Sequence, residues 1–153
     1  MVEPAPTEVW FYHLERSTLE QVLPELLERT LKRGWRAQVR VSGHDLRDEI
    51  DGWLWTWREE SFLAHGLEHD PYPTRQPILI TTSPENLNKA QALFIIDQSE
   101  IGELEGWVRC FIIFDGRDDM ATSRARETWR RLKDSRAELA YWKQTDEGWQ
   151  RAA

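Results

Sequence analysis

Apolar positions along this chain recur with two different periods, and the switches between them mark out strands and helices. Glu8–Leu14 (EVWFYHL) is rich in strand formers and predicts the first strand. Leu19, Val22, Leu23, Leu26, Leu27 and Leu31 then return at helical spacing. Ser17 and Glu20 have the spacing of a capping box at the start of that helix, and Gly34 suits its end. Pro24 inside the pattern predicts a kink or loosened first turns. Trp35–Val41 (WRAQVRV) alternates, which predicts a second strand with one wetter face. Ser42-Gly43-His44-Asp45 can cap a second helix running to about Trp53, with Leu46, Ile50 and Trp53 or Leu54 facing inward. Leu54–Gly66 is aromatic without a clear period, and Leu67–Gln76 reads as a loop.

Pro77–Thr82 (PILITT) is the third strand, followed by the polar, irregular stretch Ser83–Ala90. Gln91–Asp97 (QALFIID) is the fourth, apolar enough to be buried on both faces, as parallel strands are. A turn region at Gly102–Gly106 leads to the fifth strand, Val108–Phe114. A long charged helix follows within Asp115–Arg136, and Glu138–Lys143 (ELAYWK) is the last strand. This order predicts an α/β fold: a single three-layer domain, a mainly parallel sheet with helices on both faces, resembling nucleotide-binding folds. Residues 1–6, with prolines at 4 and 6, read as a flexible lead, 7–143 as the domain and 144–153 as a polar C-terminal tail.

A chain of 153 residues fits one domain with a real core. Acidic residues outnumber basic ones 27 to 20, giving a net charge of −7. That balance argues against the whole surface gripping nucleic acid, because phosphate binding needs a concentrated positive field. A local basic patch on an acidic body is compatible with it. Cys110, the single cysteine, lies in an apolar strand, so there is no disulfide framework, which fits a reducing compartment. No stretch approaches the ~20 apolar residues of a membrane span. The first residues lack the basic and apolar regions of a signal peptide, so a cytoplasmic location is expected.

Catalytic and cofactor chemistry has little support in the sequence. Neither G-x-G-x-x-G nor G-x-x-x-x-G-K-[ST] occurs, and the turn after the first strand, His13-Leu14-Glu15-Arg16-Ser17, has no glycine to admit a phosphate. His65, His69 and Asp70 sit in a stretch broken by Gly66 and Pro71, so no metal is expected there. The carboxylate pairs Glu59-Glu60 and Asp118-Asp119 are sequence neighbours, which do not face each other. Asp118 and Asp119 favour the start of the charged helix through its dipole. No cofactor and no catalytic residue is expected.

The charged helix carries the clearest signal. At about 100° per residue, Ala121, Ala125, Thr128 and Leu132 share one narrow face of small residues. Thr122, Arg126, Trp129, Arg130 and Lys133 form a stripe beside it, with Arg124 and Arg131 on a third side. A solvated face with Glu127 paired to Arg131 is one reading. The other is a shallow apolar notch ringed by cations, suited to an acidic peptide ending in a carboxylate and an apolar residue. A second aromatic cluster, Trp53, Trp55, Trp57 and Phe62, is either a lid over the sheet edge or a patch for a protein partner.

Together these stretches resemble the chi subunit family of the bacterial DNA polymerase III holoenzyme. The resemblance rests on Leu54–Gly66 (LWTWREESFLAHG), which is similar to the family's Leu-Trp…Ser-Phe-(Leu/Val)-Pro-His stretch. Further matches are Phe11-Tyr12, the Arg-Gly-Trp-Arg at 33–36 and the Phe-Asp-Gly-Arg at 114–117. The resemblance implies a non-catalytic accessory subunit. It would bridge the acidic C-terminal tail of single-stranded DNA-binding protein to the clamp loader, through psi or another clamp-loader or helicase partner, with nucleic acid engaged only indirectly. Carried over by position, the tail site falls on Thr122, Arg126, Trp129, Arg130 and Lys133, with tyrosine usual at Trp129 and a base usual at Thr122. The psi-facing surface falls on Trp55, Phe62 and His65, with Ala64 in place of the usual proline. The alternatives are a nucleotide-binding enzyme using the mouth of the sheet, and a direct single-stranded DNA binder stacking a base on Trp129.

Overall fold

Alternation between two buried faces generates the sheet around which everything else packs. The computed structural model describes residues 5–57, 63–97 and 99–153. Its elements run β1 (Glu8–Leu14), α1 (Leu19–Lys32), β2 (Ala37–Arg40), α2 (His44–Thr56), β3 (Gly66–Leu67), β4 (Ile78–Thr81), β5 (Ala92–Ile95), β6 (Arg109–Asp115), α3 (Asp119–Lys133), β7 (Glu138–Thr145) and β8 (Gly148–Arg151). The strands lie in the order β3-β4-β2-β5-β6-β1-β7-β8. Pairing is parallel except between β7 and β8.

Successive strand residues point to opposite faces, and the two cores follow that rule. Tyr12, Leu14, Phe94, Phe111 and Ile113 join the helices α1 and α2, through Leu23, Leu27, Ile50 and Leu54. Val9, Phe11, Leu93, Ile95, Cys110, Ile112 and Phe114 join α3 through Ala125 and Leu132. The result is the expected α/β three-layer architecture. No helix among the described residues is long and apolar enough to cross a membrane.

Several local expectations are corrected. Thr18, not Ser17, caps α1, in a capping box with Gln21 rather than Glu20. Ser17 is engaged elsewhere, by the side chain of Gln144. Pro24 is buried within α1, which runs without interruption to Lys32; Gly34, at φ +82°, ends it. β2 has no wet face: all four residues are buried. Arg40 is held there by the carbonyls of Ile101 (2.8 Å) and Pro84 (3.0 Å) instead of by water. The cap of α2 falls within Ser42–Asp45 as expected, at Gly43 and without a side-chain bond, while Ser42 donates to Asp97. The loop expected at 67–76 contributes the short strand β3 and a 3₁₀ turn at Pro73–Arg75. The polar tail expected at 144–153 instead finishes β7 and forms β8 through a turn at 145–148.

Candidate functional site

The site is built on α3. Asp118 caps it, accepting from the N–H groups of Met120 (3.0 Å) and Ala121 (3.3 Å). Because β1 lies between β6 and β7, the crossover through α3 spans β1. Ala125 and Leu132 face the sheet as predicted, and Ala121 and Thr128 are half-buried. Trp129 stands at the border. Its indole meets Phe11 edge-on (5.3 Å, 65°) and Tyr141 edge-on (5.9 Å, 79°) while remaining partly exposed. Phe11 and Tyr141 are register partners on β1 and β7, so their rings form a shelf under it.

Arg126, Arg130 and Lys133 are exposed. Arg126 and Lys133, three and four residues from Trp129, stand beside it on the helix, and Arg130 adjoins those two cations at the same spacings. Arg126 acts on the Tyr141 phenol, whose pKa is raised by burial and partly offset by that cation. Thr122 belongs to the same flank, but its hydroxyl donates to the Asp118 carbonyl (3.0 Å) within the first turn. The Glu127–Arg131 pair of the solvated-face reading is not among the ion pairs of the described residues; the two side chains line a separate groove with Ser99, Glu100, Ile101 and Arg124.

Sequence reasoning missed the β7 side of the site. Tyr141 Oη lies 2.5 Å from His13 Nδ1, and His13 Nε2 lies 2.6 Å from a Glu15 carboxylate oxygen that also sits 3.8 Å from Lys143. The His13–Glu15 contact is close but out of line for a directed hydrogen bond. Tyr141 and Lys143 share the face of Leu139 by strand alternation, which was readable within ELAYWK. Their meeting with Trp129 and His13 depends on sheet register, which no local pattern reveals.

At the aromatic cluster, Trp55 is 59% exposed and meets His65 edge-on at 4.9 Å. The His65 side chain is wholly buried and bridges the Leu63 carbonyl (2.7 Å) and the Asp51 carboxylate (2.9 Å). His65 therefore ties residues 63–66 to α2 and supports Trp55 rather than facing outward. Phe62 lies outside the described residues.

The mouth of the parallel sheet is arranged differently from a nucleotide site. In such a fold a phosphate sits against the backbone of the first strand–helix turn. Here the N–H groups of Glu15 (3.2 Å), Arg16 (2.8 Å) and Ser17 (2.9 Å) all donate to one oxygen, Oε1 of Gln144. Asp97, Asp115 and Asp118 border the neighbouring hollow between β5, β6 and α3, adding negative charge. Among the described residues no cluster of three or more His, Cys, Asp or Glu side chains could hold a metal. His69 has only Asp70 nearby, at 3.8 Å and largely in solvent. Cys110 is fully buried, and burial pushes its thiol up to about 12, so it behaves as a small core residue.

Residues 7–140 match the family described as DNA polymerase III chi subunit, HolC. This chain belongs to the chi family. It is similar to the "Probable DNA polymerase III subunit chi" of Rickettsia prowazekii (strain Madrid E), 27% identical over 93 residues. That alignment covers 61% of this chain and spans 56% of the length of the curated relative. The matched residues include β1, the cationic flank of α3 and the start of β7 up to Ala140. Both the family and this relative are described by name as chi subunits of DNA polymerase III.

Proposed function

We propose that this chi-family chain is a non-catalytic bridge. Its α3 flank receives the acidic C-terminal tail of single-stranded DNA-binding protein, and its Trp55 surface meets a clamp-loader partner, psi or an equivalent. The observation that carries the reading is the cationic rim around a half-buried indole on an acidic protein. Trp129 rests on Phe11 and Tyr141, and Arg126, Arg130 and Lys133 line the same flank.

Each part of the rim has a task in this reading. Arg126 grips the terminal carboxylate, with its planar fork matched to two oxygens. Trp129 and the edge of Tyr141 form the wall for an apolar last side chain. Arg130 and Lys133 attract the acidic residues upstream of it, and their contribution is screened over about 10 Å at 0.1 M salt. The net charge of −7 disfavours bare DNA, so the tail delivers the protein to coated single strands without a competing grip on phosphate.

Titration of a labelled tail peptide tests the reading. Arg126→Ala is expected to weaken binding about thirtyfold, or roughly 2 kcal/mol, near the low end for a charge pair that stays partly hydrated. Affinity is expected to fall as salt rises. An unchanged Kd for the variant removes Arg126 from the site.

A further inference from the structure

A second cluster of cations and indoles lies on the opposite face of the sheet. The helices there, α1 and α2, follow β1 and β2, and the crossover from β1 to β2 passes above β6 and β5. Neither helix follows β7 or β8. That flank is closed by side chains alone, with Trp10, Trp142 and Trp149 half-buried beside Tyr12. At its border with α1 is a cleft of about 170 Å³, lined by Leu26 and Phe111 and by Arg29, Arg33 and Arg109.

The three guanidinium groups come from α1, its C-cap and β6. Arg109 is buried, stacked 3.7 Å over Trp10 and 5.2 Å from the Trp35 ring. Glu8 takes its Nε (2.9 Å) and Nη2 (2.7 Å). Its Nη1 has no hydrogen-bond partner among the described residues. Arg33 lies 4.5 Å over Trp35 with no carboxylate partner among those residues. Among the described residues Arg29 is paired only with Glu25, one helical turn away in solvent. Tyr12, 7% exposed, also lines the cleft, and its hydroxyl has no partner among the described residues. Burial raises that phenol to about 12 against the opposing pull of Arg109 and Arg29.

We propose that this cleft is a second ligand site, recognising a carboxylate carried on an apolar side chain, as at the free end of a peptide. A cavity of this size takes one oxyanion and one apolar group, whereas sites for drug-sized ligands begin near 300 Å³. Nucleotides fit poorly for a second reason: Trp10 is already stacked by Arg109 and flanked by Trp142 at 5.6 Å, leaving no flat platform for a base. The free edges of Arg33 and Arg109 supply donors for the carboxylate, Tyr12 a further hydroxyl, and Leu26 and Phe111 the apolar wall. The site is separate from α3 and does not depend on the tail reading.

The test is a titration of the full chain, labelled at its tryptophan indoles, followed by NMR. The probes are N-acetylphenylalanine, its uncharged amide, and thymidine monophosphate. The acid is expected to shift the Trp10 and Trp35 indole signals saturably, and the amide is not. Arg33→Glu, an exposed position whose folding the same spectrum reports, is expected to weaken binding at least tenfold. Arg126→Ala is expected to leave it unchanged. The proposal is overturned by an absence of saturable shifts, by equal binding of acid and amide, by preference for the nucleotide, by shifts confined to Trp129, or by Arg33→Glu binding like the parent.

Discussion

Replacing Gln144 with alanine is expected to destabilise the fold by about 2 kcal/mol and to create an anion site that the native chain fills for itself. The amide oxygen of Gln144 accepts three backbone N–H groups at 2.8–3.2 Å, and its Nε2 donates to Ser17 Oγ at 2.7 Å. Water replaces the bond to the exposed Arg16 N–H at small cost. The bonds to Glu15 and Ser17 are part-buried, as is the side-chain bond. At about 0.5–1.5 kcal/mol each, discounted for partial hydration, their loss comes to about 2 kcal/mol. For a domain of this size that lowers Tm by roughly 4–8 °C. Sulfate is then expected to bind the three emptied N–H groups and restore part of the loss in Gln144→Ala, while leaving the parent little changed. Gln144→Glu keeps the acceptor and is expected to melt close to the parent. Thermal melts with and without sulfate decide the matter. Equal melting of Gln144→Ala and parent, or equal stabilisation of both by sulfate, refutes the reasoning.

Two further outcomes follow from particular contacts. A Cβ at Gly116 would stand 1.8 Å from His13 Nε2 and 2.8 Å from the Leu14 carbonyl oxygen. Backbone there cannot yield, so Gly116→Ala is expected to cost about 3 kcal/mol; a denaturant midpoint equal to the parent's refutes this. Burial alone would raise the Glu68 carboxyl, but bonds from Thr81, Thr82 and Arg47 outweigh it and hold the pKa below its ordinary value. A carboxylate depressed in the folded state stabilises above its unfolded pKa, near 4.5, and loses that contribution as pH falls through the folded value. Urea midpoints measured from pH 7 to pH 3 are expected to fall less steeply in Glu68→Gln, and an identical acid slope refutes the assignment. Asp115, held low chiefly by its hydrogen bond from Arg117, has the same sign and keeps the variant's slope above zero.

The fold was legible where a pattern was both long and local. β1 begins and ends where its run of strand-forming residues predicts, and α3 starts at the aspartates and runs through the cationic stripe. What misled the reading was side chains whose partners lie far along the chain. Ser17 and Thr18 are each followed three residues later by a capping acceptor, so two registers compete. Gln144 resolves the choice by engaging Ser17 from 127 residues away. Gln38 and Arg40 read as a wet face, yet both are buried; the segments at Pro84 and Glu100–Ile101 supply carbonyls to Arg40, whereas the Gln38 amide has no partner among the described residues. β8 has one apolar residue, Trp149, and gives no periodic signal; its hairpin with β7 places that residue against Tyr12. At the candidate site, the α3 half was readable from helical spacing. The His13–Tyr141 half required β1 and β7 to be neighbours.

That last dependence bears on why the mouth of this nucleotide-like sheet is filled by the chain's own side chains. In an open parallel sheet the usual place for a ligand is the crevice beyond the carboxyl ends of the strands. Here β7 runs long enough to send Gln144 into the first turn, where a phosphate would bind. Gly116 brings the β6–α3 turn down onto His13, with the Gly116 N–H donating to the Leu14 carbonyl at 2.7 Å, which closes the space above β1. Carboxylates at 97, 115 and 118 repel phosphate from the adjoining hollow. With the crevice occupied by the chain itself, the exposed cations of this face lie along α3, Arg126, Arg130 and Lys133 among them. There the shelf of Phe11 and Tyr141 holds Trp129 at the surface, where it would form the wall of the proposed tail site.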